Sequence, residues 1–100
     1  MIVRMSDNGA AVRLKLREKL EVRLRESQVS GYLWEHKGTC PCLRLDDSDY
    51  AERGPARFNG RGERSWHFAA VATGDCTLNF YLVRPWSVPS LEYTLSVIVQ

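Results

Sequence analysis

Apolar and polar residues alternate along much of this chain with a spacing of two. The first two apolar sets are separated by a break at Glu18 and Lys19; they are Val12, Leu14, Leu16 and Leu20, Val22, Leu24. An α-helix repeats every 3.6 residues, so this spacing would scatter the apolar side chains around a helix. The pattern therefore predicts two strands joined by a tight turn, each with one dry face and one charged, solvated face.

Five further strands are predicted downstream. Tyr32-Leu33-Trp34 begins the third strand, with both aromatic residues expected to pack in the core, and Leu43-Arg44-Leu45 forms a weak fourth. The inward-facing sets of the last three are Trp66, Phe68, Ala70; Leu78, Phe80, Leu82; and Leu91, Tyr93, Leu95, Val97, Val99. No helix is evident. About seven short alternating strands in one chain of this length predict an all-β fold, an immunoglobulin-like antiparallel β-sandwich. We expect a single domain over residues 1–100, with a loose N-terminal segment over residues 1–10.

Three connections between the predicted strands carry unusual residues. The first loop covers residues 26–31, the second lies in a polar stretch over residues 46–63 and contains residues 59–62, and the third covers residues 84–90. Consecutive antiparallel strands reverse direction, so alternate connections emerge at the same end. These three loops share that parity, provided that the fourth strand is real. Three loops at one end of a rigid sandwich are typical of a binding head.

The third loop begins with Arg84-Pro85-Trp86, directly after a hydrophobic strand. Pro85 cannot donate a hydrogen bond to a sheet and fixes its own φ, so it ends the strand and stiffens the loop. Trp and Arg are enriched among interface hot spots. The alternative is that Trp86 folds back as a lid on the core with Arg84 stacked over it.

Charge and hydropathy restrict the partners. The 100 residues carry a formal net charge of +2, with acidic and basic residues mixed, which argues against nucleic acid as the main partner. The first five residues are too short and interrupted for a signal peptide, and no apolar run approaches a membrane span. We expect a monomer that binds no membrane and is cytoplasmic, or exported after removal of a leader.

Cysteine, histidine and aspartate give little support for catalysis or metal binding. Three cysteines, Cys40, Cys42 and Cys76, favour reduced thiols, although one of the first two could bridge to Cys76 in an oxidising compartment. His67 alternates with core residues and is predicted to be solvated; neither it nor His36 is placed near a nucleophile by the sequence. The acidic run at residues 46–49 lacks the glycine and distal glutamate of a calcium loop. We therefore predict no enzyme activity, no cofactor and no metal.

The three loops resemble those of the chagasin-like inhibitors of papain-family cysteine peptidases. The family motifs are Asn-Pro-Thr-Thr-Gly followed by aromatic-x-Trp, then Gly-x-Gly-Gly, then Arg-Pro-Trp. Arg84-Pro85-Trp86 matches the third motif, Ser30-Gly31-Tyr32-Leu33-Trp34 the end of the first, and Gly60-Arg61-Gly62-Glu63 resembles the second. Anchoring on Trp66 and Phe68 instead aligns residues 59–62 with the second motif. The resemblance extends from about Val12 to the end of the chain.

The resemblance implies an inhibitor whose three loops plug the peptidase cleft. The peptidase-binding residues that it implies are Ser27, Gln28, Val29, Ser30, Gly31, Gly60, Arg61, Gly62, Arg84, Pro85 and Trp86. Ser27-Gln28-Val29 stands where the family has Asn-Pro-Thr, which predicts a less rigid first loop and weaker binding. The alternative is a non-inhibitory immunoglobulin-like module for binding or adhesion that uses the same end.

Overall fold

The computed structural model describes residues 1–27, 32–52, 61–84 and 91–100, and these residues form eight strands and one short 3-10 helix, Met5–Asp7. The strands are β1 Ile2–Val3, β2 Ala11–Leu14, β3 Lys19–Ser27, β4 Leu33–Lys37, β5 Leu43–Glu52, β6 Arg61–Ala70, β7 Gly74–Val83 and β8 Leu91–Val99. The predicted all-β fold is confirmed. Within the described ranges, no helix has the length and apolar character needed to cross a membrane.

The strands form two sheets that face each other as a sandwich. Sheet 1 has the order β1-β3-β6-β5 and sheet 2 the order β2-β8-β7-β4. Neighbouring strands are antiparallel except for β1 with β3 and β2 with β8, which are parallel. The predicted tight turn between the first two strands is present, with the Glu18 amide donating to the Lys15 carbonyl over 3.0 Å. The chain uses this turn to pass from sheet 2 into sheet 1.

The core lies between the sheets, where the alternation predicted it. Most members of the predicted apolar sets are buried, and Phe80 packs near the centre, with its ring 4.6 Å from Trp66 and 5.9 Å from Tyr93. Two predictions were wrong, because Leu16 lies in the turn after β2 and Leu91 begins β8, and both side chains are more than 40% exposed. Alternation therefore does not predict burial for a residue at the margin of a strand.

The fourth predicted strand is longer than its sequence indicates. β5 continues through the acidic run to Glu52, and β6 already begins at Arg61, so the ends of the predicted polar loop belong to the ladder. A bulge between Leu45 and Asp47 shifts the alternation on β5. Asp46, Asp47 and Asp49 are of a residue type that is common in turns, so the sequence predicted a loop where β5 continues.

Two further expectations differ from the structure. The N-terminal segment expected to be loose contributes β1 to sheet 1, and Val3 is buried against the core. Cys40 and Cys76 form a disulfide with their Cα atoms 5.4 Å apart, while Cys42 is a buried free thiol, so the favoured interpretation of three reduced cysteines was wrong. The disulfide joins the connection between β4 and β5 to β7.

Candidate functional site

Six strand ends meet at one end of the sandwich, which we call the loop end. In sheet 1, the last residue of β3 pairs with the first of β6, and Glu52 at the end of β5 pairs with Gly62. In sheet 2, the first residue of β4 pairs with the last of β7, and Leu82 pairs with Leu91 at the start of β8. These strands lead into and out of the segments 28–31, 53–60 and 85–90. The parity prediction for the three connections is thereby confirmed.

A buried carboxylate connects the two sheets at the loop end. The side chain of Glu26, near the end of β3, has 0% exposure. Its Oε1 accepts a hydrogen bond from the amide of Trp34 on β4, 2.7 Å away. The guanidinium of Arg64 on β6 donates to the same carboxylate, from Nε over 3.0 Å and from Nη2 over 2.9 Å to Oε2. Glu26 thus receives donors from both sheets, as a buried charge requires.

The aromatic neighbours of Glu26 extend this network. The indole Nε1 of Trp34 donates to the carbonyl of Arg25 over 2.8 Å, so Trp34 contacts β3 through two separate hydrogen bonds. On β5, the Tyr50 ring lies 5.5 Å from the Arg64 guanidinium carbon, and its hydroxyl donates to the Glu26 carbonyl over 3.4 Å. We call Glu26, Trp34, Tyr50 and Arg64 the anchor cluster.

Gly62 is required by the anchor cluster's packing. A Cβ atom at this position would lie 2.5 Å from the Tyr50 hydroxyl oxygen and 2.6 Å from the Ala51 carbonyl oxygen. Both distances are shorter than any normal contact, and the Ala51 carbonyl belongs to the β5 backbone and cannot rotate away. Gly62 therefore has a packing role beneath Tyr50, and its predicted contact with a peptidase stays a prediction.

Arg84 is the described residue of the Arg-Pro-Trp motif. It follows β7, and its guanidinium carbon lies 4.3 Å from the centre of the Tyr32 ring, a cation–π distance. Its Nε is buried and has no hydrogen-bond partner among the residues that the structure describes. The guanidinium is therefore held on an aromatic surface.

The remaining predicted site residues are described in part or not at all. The backbones of Ser27 and Arg61 pair with each other at the ends of β3 and β6. The others lie outside the described residues: Gln28, Val29, Ser30, Gly31, Gly60, Pro85 and Trp86. Trp34 is buried as predicted, whereas Tyr32 is half-buried beside Arg84.

The two histidines occupy different environments away from the anchor cluster. His67 faces away from the core, as predicted, with a side chain that is 39% exposed. It lies between Asp47 and Glu21, with Nε2 2.9 Å from the Glu21 carboxylate and Nδ1 in contact with Asp47. His36 packs against Phe80, and its burial lowers the pKa of its ring. Within the described residues, no group of three or more His, Cys, Asp or Glu side chains is arranged to hold a metal ion.

Sequence reasoning missed Glu26 and Arg64, although a signal was present. Glu26 has the same parity as Leu20, Val22 and Leu24 and therefore points inward. Arg64 has the parity of the buried aromatic residues of β6. Two opposite charges at inward positions of strands that pair indicate a buried ion pair. In the sequence analysis, however, Glu26 was placed in the first loop and Arg64 was given no role.

Comparison with known proteins identifies relatives. The sequence model described as "Chagasin family peptidase inhibitor I42" matches residues 13–99. No curated protein sequence matches the chain.

Three solved structures share the fold across nearly the whole chain. The cysteine protease inhibitor EhICP2 from Entamoeba histolytica superposes with a TM-score of 0.88 at 19% identity, covering 99% of this chain and 94% of its own. The solution structure of Amebosin gives 0.75 at 21% identity, covering 100% and 97%. PbICP-C, solved in complex with falcipain-2, gives 0.61 at 16% identity, covering 100% and 88%.

Proposed function

Since the chain belongs to the chagasin family of peptidase inhibitors, we propose that it inhibits papain-like (cathepsin-type) cysteine peptidases by plugging their active-site cleft with three loops. Family membership agrees with the sequence prediction that the chain is an inhibitor and not an enzyme. The proposal of a cysteine peptidase target is supported by two structural neighbours, one described as a cysteine protease inhibitor and one solved with falcipain-2.

The geometry of the loop end is the observation that carries the proposal. The strands that flank the three motif segments end side by side in both sheets, and the Glu26–Trp34 hydrogen bond joins the sheets there. A cleft-blocking protein must present several segments together without rearranging, because ordering them on binding costs affinity. A braced set of strand ends meets that requirement.

Each loop has a distinct role in the proposed plug. Residues 27–31 lie across the catalytic thiol, with Ser30 and Gly31 nearest to it. A loop held at both ends by strands is not presented as an extended substrate, so it resists cleavage. Residues 60–62 contact one wall of the cleft, while Trp86 packs on an aromatic surface on the other side and Pro85 keeps it in position. Arg84, whose guanidinium lies over the Tyr32 ring, makes polar contacts with the peptidase or braces the loop.

The altered first motif reduces the expected affinity. Ser27-Gln28-Val29 lacks the proline and asparagine that stiffen this loop in the family. Each lost restraint costs about 1 kcal/mol, on the scale of one hydrogen bond, and about 1.4 kcal/mol corresponds to a tenfold change in binding. The two losses together, about 2 kcal/mol, predict inhibition about thirtyfold weaker than a family member with the full first motif would give.

Titration of papain with the protein, following hydrolysis of a small peptide substrate, tests the proposal. We expect inhibition by the natural sequence, and a loss of at least about tenfold in Trp86→Ala because an aromatic interface anchor is removed. The unfolding free energy of Trp86→Ala should stay within about 0.5 kcal/mol of the natural protein.

Two results would contradict the proposal. No inhibition of papain or a cathepsin L-type enzyme up to about 50 µM would show that binding is too weak for a cleft inhibitor. Strong destabilisation by Trp86→Ala would instead favour the alternative, a non-inhibitory module in which Trp86 is a lid on the core.

A further inference from the structure

We infer that Glu26 is the positioning residue of the loop end: its carboxylate fixes the roots of the first and second loops relative to each other and to sheet 2. The inference rests on the proposed inhibitory function for its consequence, weaker inhibition when Glu26 is changed. Glu26 acts through Trp34 and Arg64, without contacting the peptidase.

The burial of Glu26 is the first argument. Its carboxylate is fully inside the protein, and removing a charge from water costs free energy that an ion pair often fails to recover. Apolar residues of similar volume would stabilise such a position at least as well. A buried ion pair instead favours one arrangement of the strands that carry it. The donors can satisfy the buried carboxylate only when they lie within a narrow range of distances and angles.

The positions of the partners along the chain are the second argument. Glu26 stands two residues before the segment 28–31, and Trp34 three residues after it. Tyr50 stands three residues before the segment 53–60, and Arg64 four residues after it. The anchor cluster therefore takes one residue from each strand that enters or leaves the first two loops.

The connection between sheets is the third argument. β3 belongs to sheet 1 and β4 to sheet 2, so no ladder of backbone hydrogen bonds fixes the spacing of their ends. The Trp34 amide on Glu26 Oε1 and the Trp34 indole on the Arg25 carbonyl set that spacing. On the other side, Arg64 connects the same carboxylate to β6.

Glu26→Gln is the direct test, because the amide keeps the shape but loses the charge and one acceptor oxygen. We expect papain inhibition to weaken about tenfold to a hundredfold, mainly through faster dissociation, as loosened loop roots must be ordered on binding. If Glu26→Gln folds poorly, Arg64→Lys tests the same contact. Lysine keeps the positive charge but cannot make the two parallel hydrogen bonds of the guanidinium, so inhibition should again weaken.

Two matched controls separate positioning from general stability. Glu21→Gln removes a carboxylate from the same strand that pairs with Arg23 and His67 on the outer face, and should leave inhibition within about twofold. Val97→Ala cuts a fully buried side chain on β8, opposite Cys76, far from the loop end. It should lower stability but leave inhibition unchanged at a temperature where the protein stays folded.

Amide hydrogen exchange provides a readout that needs no peptidase. In Glu26→Gln we expect faster exchange at Trp34 and Gly62, with Leu78 and Val97 unchanged. An unchanged inhibition constant in Glu26→Gln beside an active natural protein would overturn the inference. If the natural protein does not inhibit papain, the proposed function fails, and hydrogen exchange alone tests the positioning role. Exchange rates that are unchanged in Glu26→Gln, or that rise equally at all four amides, would then overturn the inference.

Discussion

At the scale of single residues, the environment of His67 makes stability depend on pH. Both ring nitrogens face carboxylate oxygens, which can only accept, so the ring satisfies both contacts only as the imidazolium. Burial by itself disfavours that charged form. The hydrogen bonds to Asp47 and Glu21 outweigh it and raise the pKa of His67. The hydrogen bond from Arg23, opposed by burial and assisted by His67, lowers the pKa of Glu21.

The signs of these two shifts define a pH window. The His67 contribution is complete below its ordinary pKa of 6.5 and is lost as the pH rises through its raised native value. The Glu21 contribution is complete above its ordinary pKa of 4.5 and is lost as the pH falls through its lowered native value. We expect the His67-dependent part of the unfolding free energy to decrease from about pH 5.5 to about pH 8.5.

Comparison with His67→Gln isolates this effect, because glutamine does not titrate in that range. Urea unfolding of both proteins at the two pH values gives the difference directly. Lys19, Arg44 and Asp46 lie nearby and are present in both proteins, so their contributions cancel in the comparison. An equal pH dependence in both proteins would contradict the assignment of a charged ring.

Side-chain parity predicted most residues correctly, and its errors are of two kinds. Trp34, Phe68 and Tyr93 are buried as the alternation indicated. The apolar errors, Leu16 and Leu91, stand at strand margins, whereas the buried charge of Glu26 was missed because Glu26 was placed in the first loop. Glu26 is buried because Arg64 lies on the neighbouring strand, and that pairing follows from the sheet topology, which a local pattern does not contain.

At the scale of elements, β1 shows how a strand of two residues can support a sheet. It pairs in parallel with β3, and Val3 is 3% exposed while its neighbour Ile2 is 48% exposed. A strand of two residues has no alternation to detect, so the sequence predicted a loose segment. Its support comes from one buried side chain and the β3 ladder.

Val3→Ala should therefore destabilise the protein by about 1–3 kcal/mol, because it leaves a cavity in the core. Ile2→Ala is the matched control and should change the unfolding free energy by no more than about 0.5 kcal/mol. Urea denaturation of both variants measures the difference. Equal effects at the two positions would mean that β1 does not contribute to the core in solution.

At the scale of the whole molecule, strand parity alone predicted which loops share an end, although it could not assign strands to sheets. Parity depends only on how many times the chain reverses direction. The prediction was therefore correct even though β5 is longer than predicted. The disulfide was not predicted because sequence spacing did not decide whether Cys40 or Cys42 pairs with Cys76. It lies near the starts of β5 and β7, at the end opposite the loops.

Reduction should therefore lower stability without abolishing inhibition. The disulfide closes a loop with a sequence separation of 36, for which the chain-entropy model gives about 4 kcal/mol. Urea unfolding with and without reductant measures the loss, and Cys42→Ala should respond to reductant as the natural protein does. If the reduced but folded protein no longer blocked papain, the two ends of the sandwich would be coupled.

The order of sheet 1 ends on β5, a strand of ten residues whose outer edge no described strand covers. Such an edge is a template on which a second chain can add, the first step of fibril growth. β5 carries Asp46, Asp47 and Asp49 along this edge. Asp46 is paired with Lys19 and Arg44, and Asp47 with His67, so a second chain adding to this edge would have to desolvate charged and already paired side chains. The same acidic residues that are typical of a turn in the sequence therefore disfavour self-association through this edge.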